Sequence, residues 1–205
     1  MKVLIVVLVA LFISGCSVFG DNGVESAPYT VIHSDDANQI DVRNYESMIL
    51  VSASSKDGDN SAFRKLFKYI AGENKGTQEI AMTAPVFIDG NDQGREIAMT
   101  APVFMSDSVD EPSMSFVMPS DFTLATTPEP LDASVTISEV KNYKVAAIKF
   151  SGTLRRGNVE EHTRILRNWL DSNGYEQIGA PVKAGYNGPL TIPFLRHNEV
   201  LIEIK

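Results

Sequence analysis

Apolar positions recur along this 205-residue chain with two different spacings. After an uninterrupted apolar run at Val3–Ile13, two segments share one rhythm and an Asn-Tyr pair: IDVRNYESMILVSAS at Ile40–Ser54, and ISEVKNYKVAAIKFSG at Ile137–Gly152. Each reads as one long bent strand, or as two short ones around the Asn-Tyr. Each is followed by a helical pattern. In Ser61–Gly72, Phe63, Leu66, Phe67 and Ile70 recur at i, i+3, i+4 and i+7, while Arg64, Lys65 and Lys68 fall elsewhere on the wheel. Asn60 or Ser61 is the expected N-cap, and Gly72 the left-handed C-terminal residue. The second helix is expected over Asn158–Gly174, with Asn158 and Glu161 as a capping box and an apolar stripe of Val159, His162, Ile165, Leu166, Trp169 and Leu170. Strands follow again: EIAMTAPVF, its copy and SFVMP after the first helix, Gly185–Pro193 and Glu199–Ile204 after the second. Strand–helix–strand–strand, twice, predicts an α+β domain: two βαββ half-repeats forming an antiparallel sheet of about eight strands with two helices.

The nonapeptide EIAMTAPVF is spelled twice, at Glu79–Phe87 and Glu96–Phe104. Two copies do not make a solenoid. Within each copy Ile, Met and Ala alternate with Ala, Thr and Pro, the period of a strand. Pro85 and Pro102 donate no ladder hydrogen bond and belong where pairing ends. The intervening IDGNDQGR is rich in turn formers, so a hairpin is expected, with copy one in the interior slot and copy two as an added strand nearer the edge. Asp89–Gly94 also resembles the start of a calcium loop, but Thr100 stands where the bidentate Glu is required, and the turn is the better reading.

The apolar run at Val3–Ile13 is eleven residues, the length of a signal-peptide core and too short to span a bilayer. It ends in Ile13-Ser14-Gly15-Cys16, which resembles the lipobox of bacterial lipoproteins. That resemblance implies a signal peptide over 1–15, lipidation of Cys16, a polar tether through residue 28 and one domain over 29–205. Ser17, in place of the Asp that favours inner-membrane retention in enteric lipoproteins, points to the outer membrane facing the periplasm. Cys16 is the only cysteine, so none is left for disulfides, metal binding or nucleophilic catalysis. Loss of residues 1–15 with Lys2 leaves 17 basic against 26 acidic residues, moving the net charge from −8 to −9. Such a surface argues against nucleic acid as a partner and against electrostatic adsorption to anionic lipid, so attachment is expected to rest on acyl chains.

Several segments together resemble the SOUL/heme-binding-protein family: YTVI at Tyr29–Ile32, FRKLFKYIAG in the first helix, IAMTAPV, MSFVMPSDF at Met114–Phe122, and YNGPLTIPFLRHNEVLIEI from Tyr186. The resemblance implies a distorted barrel of two βαββ halves. It also implies heme or a related tetrapyrrole as the ligand, bound in a hydrophobic cleft near the first helix. Heme requires apolar walls, cationic partners for its propionates and, optionally, an axial ligand. The expected ligand-binding residues are therefore Phe63, Leu66, Phe67 and Ile70 for the wall, with Arg64 and Lys68 beside it. His162 is the one histidine on an apolar stripe and the leading candidate for iron, although such a residue more often packs. His33 and His197 read as exposed; Met82 and Met99 are soft potential ligands but read as core.

No G-x-S-x-G, H-E-x-x-H, G-x-G-x-x-G or P-loop occurs, so no catalytic residue is expected. The leading reading is a non-enzymatic, membrane-anchored tetrapyrrole binder of the bacterial cell envelope. A small-molecule-sensing or protein-interaction module, resembling the gyrase-inhibitor-like effector-binding domains, is the alternative, and a heme-processing enzyme the weaker one.

Overall fold

The computed structural model describes residues 23–76, 94–108, 110–188 and 190–205. Two long strands dominate, β3 (Ile40–Ser54) and β9 (Val135–Phe150), each continuous through its Asn-Tyr. They pair antiparallel from Ile40↔Ile148 to Ala53↔Val135. The short strands β6 (Val103–Ser106), β7 (Ser113–Val117), β10 (Val182–Gly185) and β11 (Asn198–Glu203) close the circuit in the order β3–β7–β6–β10–β11–β9 and back to β3. This is a closed six-stranded antiparallel barrel. β2 (Thr30–Asp35) is added against the first half of β3. The remaining strands form two-residue ladders: β1 (Glu25–Ser26) with β5 (Thr100–Ala101), and β4 (Asn74–Lys75) with β8 (Glu129–Pro130). The expected eight-stranded sheet is thus six barrel strands with extra strands at its margins. The Gly185–Pro193 stretch is not a strand: β10 ends at Gly185, and the chain runs through a 3-10 turn at Pro193–Leu195 before β11.

Helix α1 (Asp59–Ile70) starts two residues before the expected position, behind Gly58, and makes no side-chain cap. Gly72 takes the positive φ of 108 that favours glycine after a helix. Helix α2 (Arg156–Asn173) ends as expected on left-handed Gly174. Its start is two residues early, and Asn158 caps nothing; its amide donates instead to Ser151 O and Thr153 O, holding the preceding loop.

Among the described residues, three apolar clusters form the core. Leu66, Tyr69 and Ile70 of α1 pack on Ile49, Val51 and Phe116. Leu166, Trp169 and Leu170 of α2 pack on Ile40, Val42, Ile148 and Val200. Tyr45, Phe104, Val145, Ala184 and Leu201 fill the barrel interior. Along β3, Tyr45 faces inward, as do Met48 and Leu50 beyond it, so the inside–outside alternation changes phase between residues 45 and 48. β9 changes phase at the facing position, where Asn142 adopts a left-handed backbone (φ 52) that asparagine tolerates. One strand pair thereby backs α2 at one end and α1 at the other.

Copy two of the nonapeptide does not take the edge position expected for it. Copy two, not an added edge strand, supplies β5 and β6, and β6 lies inside the sheet between β7 and β10. Ile97, Ala101 and Phe104 are buried, and Thr100 Oγ1 donates to Val117 O. Copy one, with the Ile80 and Met82 positions, and the intervening turn up to residue 93 lie outside the described residues. Flanking residues explain the choice between identical strings. Asn74 grips Arg95 from both sides, accepting from its N–H at 2.9 Å and donating to its carbonyl at 2.8 Å. The Arg95 guanidinium stacks 4.6 Å over the Phe122 ring. Gly94 passes so close to Gly72 that a Cβ there would stand 1.6 Å from the Gly72 carbonyl oxygen. Copy one is preceded by Thr77-Gln78, which offers neither the bare Cα nor the guanidinium.

Deleting Ile88–Phe104 yields the same polypeptide as deleting Glu79–Arg95, because the copies are identical. The single remaining copy can fill β5 and β6 with every side chain unchanged. We expect a cooperatively folding variant with a lowered Tm, since Thr77 replaces Gly94 at the tight crossing and Gln78 replaces Arg95 over Phe122. Thermal unfolding followed by circular dichroism checks it; absence of a cooperative transition contradicts it.

Candidate functional site

The six residues expected to bind ligand all lie on α1, but the helix divides them. Leu66 and Ile70 face the sheet and are buried in the core, so they support the site without lining it. Phe63 and Phe67, one turn apart, remain 39% and 48% exposed. Their rings stack, with centroids 6.1 Å apart and planes 16° from parallel, and Phe63 meets Phe116 edge-on at 5.6 Å. Arg64 and Lys68 form the neighbouring i,i+4 row, which follows from 3.6 residues per turn. With Lys65 they border a cleft of about 260 Å³ whose far wall is Pro130, Asp132 and Val135. Lys68 is bridged to exposed Glu73 at 3.1 Å, a screened contact that a stronger anion can displace. Asp132 is held below its ordinary carboxylate value by hydrogen bonds from Ser134, helped by the charges of Lys65 and Lys68. At the base of the cleft, the Tyr69 hydroxyl donates to Pro128 O at 2.8 Å, and burial pushes its pKa up to about 12.

This surface fits two parts of a heme group. A solvent-facing aromatic pair suits one face of a macrocycle, and adjacent cations suit its carboxylates. It brings no histidine. His162 lies on α2, stacked on Phe150 at 4.1 Å, with Nδ1 2.8 Å from Asn158 O. His33 lies against Trp169 at 6.0 Å, and His197 belongs to the interior cluster described next. Among the described residues, no group of three or more His, Cys, Asp or Glu converges as a metal site.

Sequence reasoning missed a second constellation, inside the barrel. Arg43 on β3 and Glu199 on β11 form a salt bridge shielded from solvent. Tyr186 Oη donates to Glu199 Oε2 at 2.7 Å, and His197 Nε2 lies 2.8 Å from Glu199 Oε1. The Tyr186 and His197 rings stack at 3.9 Å, 2° from parallel. Tyr29 closes the cluster from the N-terminal side, with the Arg43 guanidinium 4.3 Å above its ring. Arg43 Nε has no hydrogen-bond partner among the described residues. Burial pulls the Glu199 carboxyl up, but the His197 contact and the Arg43 charge outweigh it and hold the group below its ordinary value. Burial likewise opposes the charge on Arg43, yet Glu199 keeps it firmly protonated. Tyr186 is pushed far up, by burial and by the neighbouring carboxylate. The available signal was alternation: Arg43 and Glu199 share inward parity with Tyr45 and Leu201, a charge on each of two strands pointing into one core.

A sequence profile described as "SOUL heme-binding protein" matches residues 24–203. No curated protein matches the sequence significantly. Among solved structures, a hydrolase from Listeria innocua is similar at TM-score 0.54 and 12% identity, covering 82% of this chain and 92% of its own. The EcmrR C-terminal domain is similar at TM-score 0.51 and 14% identity, covering 82% and 97%. An uncharacterized conserved protein from Listeria innocua gives TM-score 0.53 and 12% identity, covering 82% and 93%. These likenesses define the fold alone. The profile spans the barrel, both helices and the aromatic–basic face of α1, and the chain belongs to the SOUL heme-binding protein family.

Proposed function

We propose that this protein is a non-enzymatic, membrane-anchored binder of heme or a related tetrapyrrole, held on the outer face of α1. The observation that carries this reading is the stacked, half-exposed Phe63–Phe67 pair beside the Arg64–Lys68 row. Phe63 and Phe67 would lie against one face of the macrocycle, and Arg64 and Lys68 would hold its carboxylates. Bound heme would supply redox and ligand-binding iron; the protein's own contribution is to take the planar group out of water. The family supports the ligand class. A sensing module that used the barrel interior would need space and unspent charge there. Tyr45 and its apolar neighbours fill that interior, and Glu199 is already paired with Arg43.

Hemin titrated into chain 17–205 should give a stoichiometric Soret shift. Burying each phenyl ring is worth about 1.5–3 kcal/mol, so Phe63→Ala with Phe67→Ala should weaken binding at least about tenfold. Single His→Ala changes at 33, 162 and 197 should leave the shift in place. Unchanged affinity in the double variant, or turnover of hemin during the titration, would contradict the reading.

Anchoring follows from the lipobox-like Ile13–Cys16 end of the apolar run, with Ser17 favouring the outer membrane. Cys16→Ser should block processing or release the protein from membranes, as fractionation and intact mass would report. A variant that stays membrane-bound with unchanged mass removes the lipid anchor from the account.

A further inference from the structure

We propose that Leu190 and Phe194 insert into an anionic lipid surface, so that the barrel end from which the N-terminal chain emerges docks on the membrane. The inference goes beyond tetrapyrrole binding and uses different residues. Leu190 and Phe194 are 76% and 70% exposed, more than any other large apolar side chain among the described residues. They sit four residues apart on the connection between β10 and β11, whose residues 191–196 are held by hydrogen bonds. Leu195 N donates to Ile192 O, Arg196 N to Pro193 O, and Gly152 N to Pro193 O. Arg196 Nε donates to Thr191 O at 2.8 Å. A hydrogen-bonded turn that leaves two large apolar side chains in water marks a contact surface.

Charge and chain geometry select the lipid. The molecule carries a net charge of −8, yet neither 151–159 nor 182–198 contains an Asp or Glu. The Gly152–Pro193 hydrogen bond joins these two segments. Exposed Arg155 follows Gly152 and partly exposed Arg196 flanks Phe194, while Arg156 turns to Glu160 at 2.7 Å. Apolar side chains with cations on both neighbouring segments match the interface of an anionic bilayer. The N-terminal strap arrives at the same place. Ser26 pairs with Ala101 and Ala27 N donates to Ala101 O, while Gly185, where β10 gives way to this connection, pairs with Val103 only two residues further along the same stretch. From Cys16 to Gly23 the chain reaches at most about 25 Å, so a lipid on Cys16 would hold this end near the bilayer. Two inserted side chains adsorb weakly alone; tethering raises their effective concentration at the surface.

The test uses chain 17–205, which keeps every described contact and carries no lipid, so its outcome does not depend on lipidation or on hemin. Co-sedimentation with vesicles of phosphatidylglycerol and phosphatidylcholine should fall several-fold in the Leu190→Ala, Phe194→Ala double variant. Arg155→Ala should weaken binding to these vesicles and leave binding to pure phosphatidylcholine unchanged. Equal sedimentation of parent and double variant, or none by the parent, overturns the proposal. So does conversion of a dimer to a monomer in the double variant, which assigns the patch to a second copy of the chain. Loss of the hemin Soret shift in that variant would assign it to the tetrapyrrole instead.

Discussion

Replacing Arg43 by methionine should destabilise the protein by about 3–5 kcal/mol, because it leaves Glu199 ionised and buried opposite an apolar side chain. Glu199→Leu alone should do the same from the other side. Arg43→Met combined with Glu199→Leu should recover much of the loss, since two apolar groups of suitable volume need no pairing. Chemical denaturation of the four proteins measures the coupling. The pair also sets a pH dependence. Glu199 has a folded-state pKa below its unfolded one, so its contribution is complete above the unfolded carboxylate range, about 4.3. It is lost as the pH falls through the folded value. Parent stability should therefore drop on acidification below about pH 4, more steeply than that of the double variant, in which this carboxyl is gone.

Phe104→Ala should cost about 3–5 kcal/mol, the range for truncating a buried phenyl ring in a packed core. Phe104 fills the barrel interior between Val145, Ala184 and Leu201, from a strand paired on both sides. An edge strand added by duplication would tolerate the same change with a much smaller loss. Equilibrium unfolding of this one variant thus tests whether copy two is the structural copy. A loss below about 1 kcal/mol would return the slot to copy one.

These two sites show what the residues revealed and what they concealed. Both helices, both long strands, β7 and β11 were legible because periodicity reports which side of an element is covered. Gly72 and Gly174 stood out because left-handed positions favour glycine. The barrel was expected from the family resemblance alone; periodicity could not show its closure or its six strands, which depend on pairings between distant segments such as β3 with β9. The repeat was misassigned because identical strings carry identical local preference. The decision rests on flanking residues, above all the bare Cα of Gly94 at its crossing with Gly72. On α1, the stripe Phe63, Leu66, Phe67, Ile70 was correctly read as one apolar arc. Its width exceeded what the sheet covers, so Leu66 and Ile70 became core and the two phenylalanines stayed at the surface. Arg43 and Glu199 escaped notice because a single charge in a strand usually faces water. Only the pairing of two distant strands places each opposite the other.

The claim that organises the functional account is that α1 presents the ligand surface. Amide chemical-shift mapping of 15N-labelled chain 17–205 with protoporphyrin or hemin tests it most directly. The account predicts perturbations or line broadening centred on Phe63–Lys68, extending to Phe116 and the Asp132 wall of the cleft. Perturbations centred on 190–197 or on α2, with α1 unaffected, would contradict it.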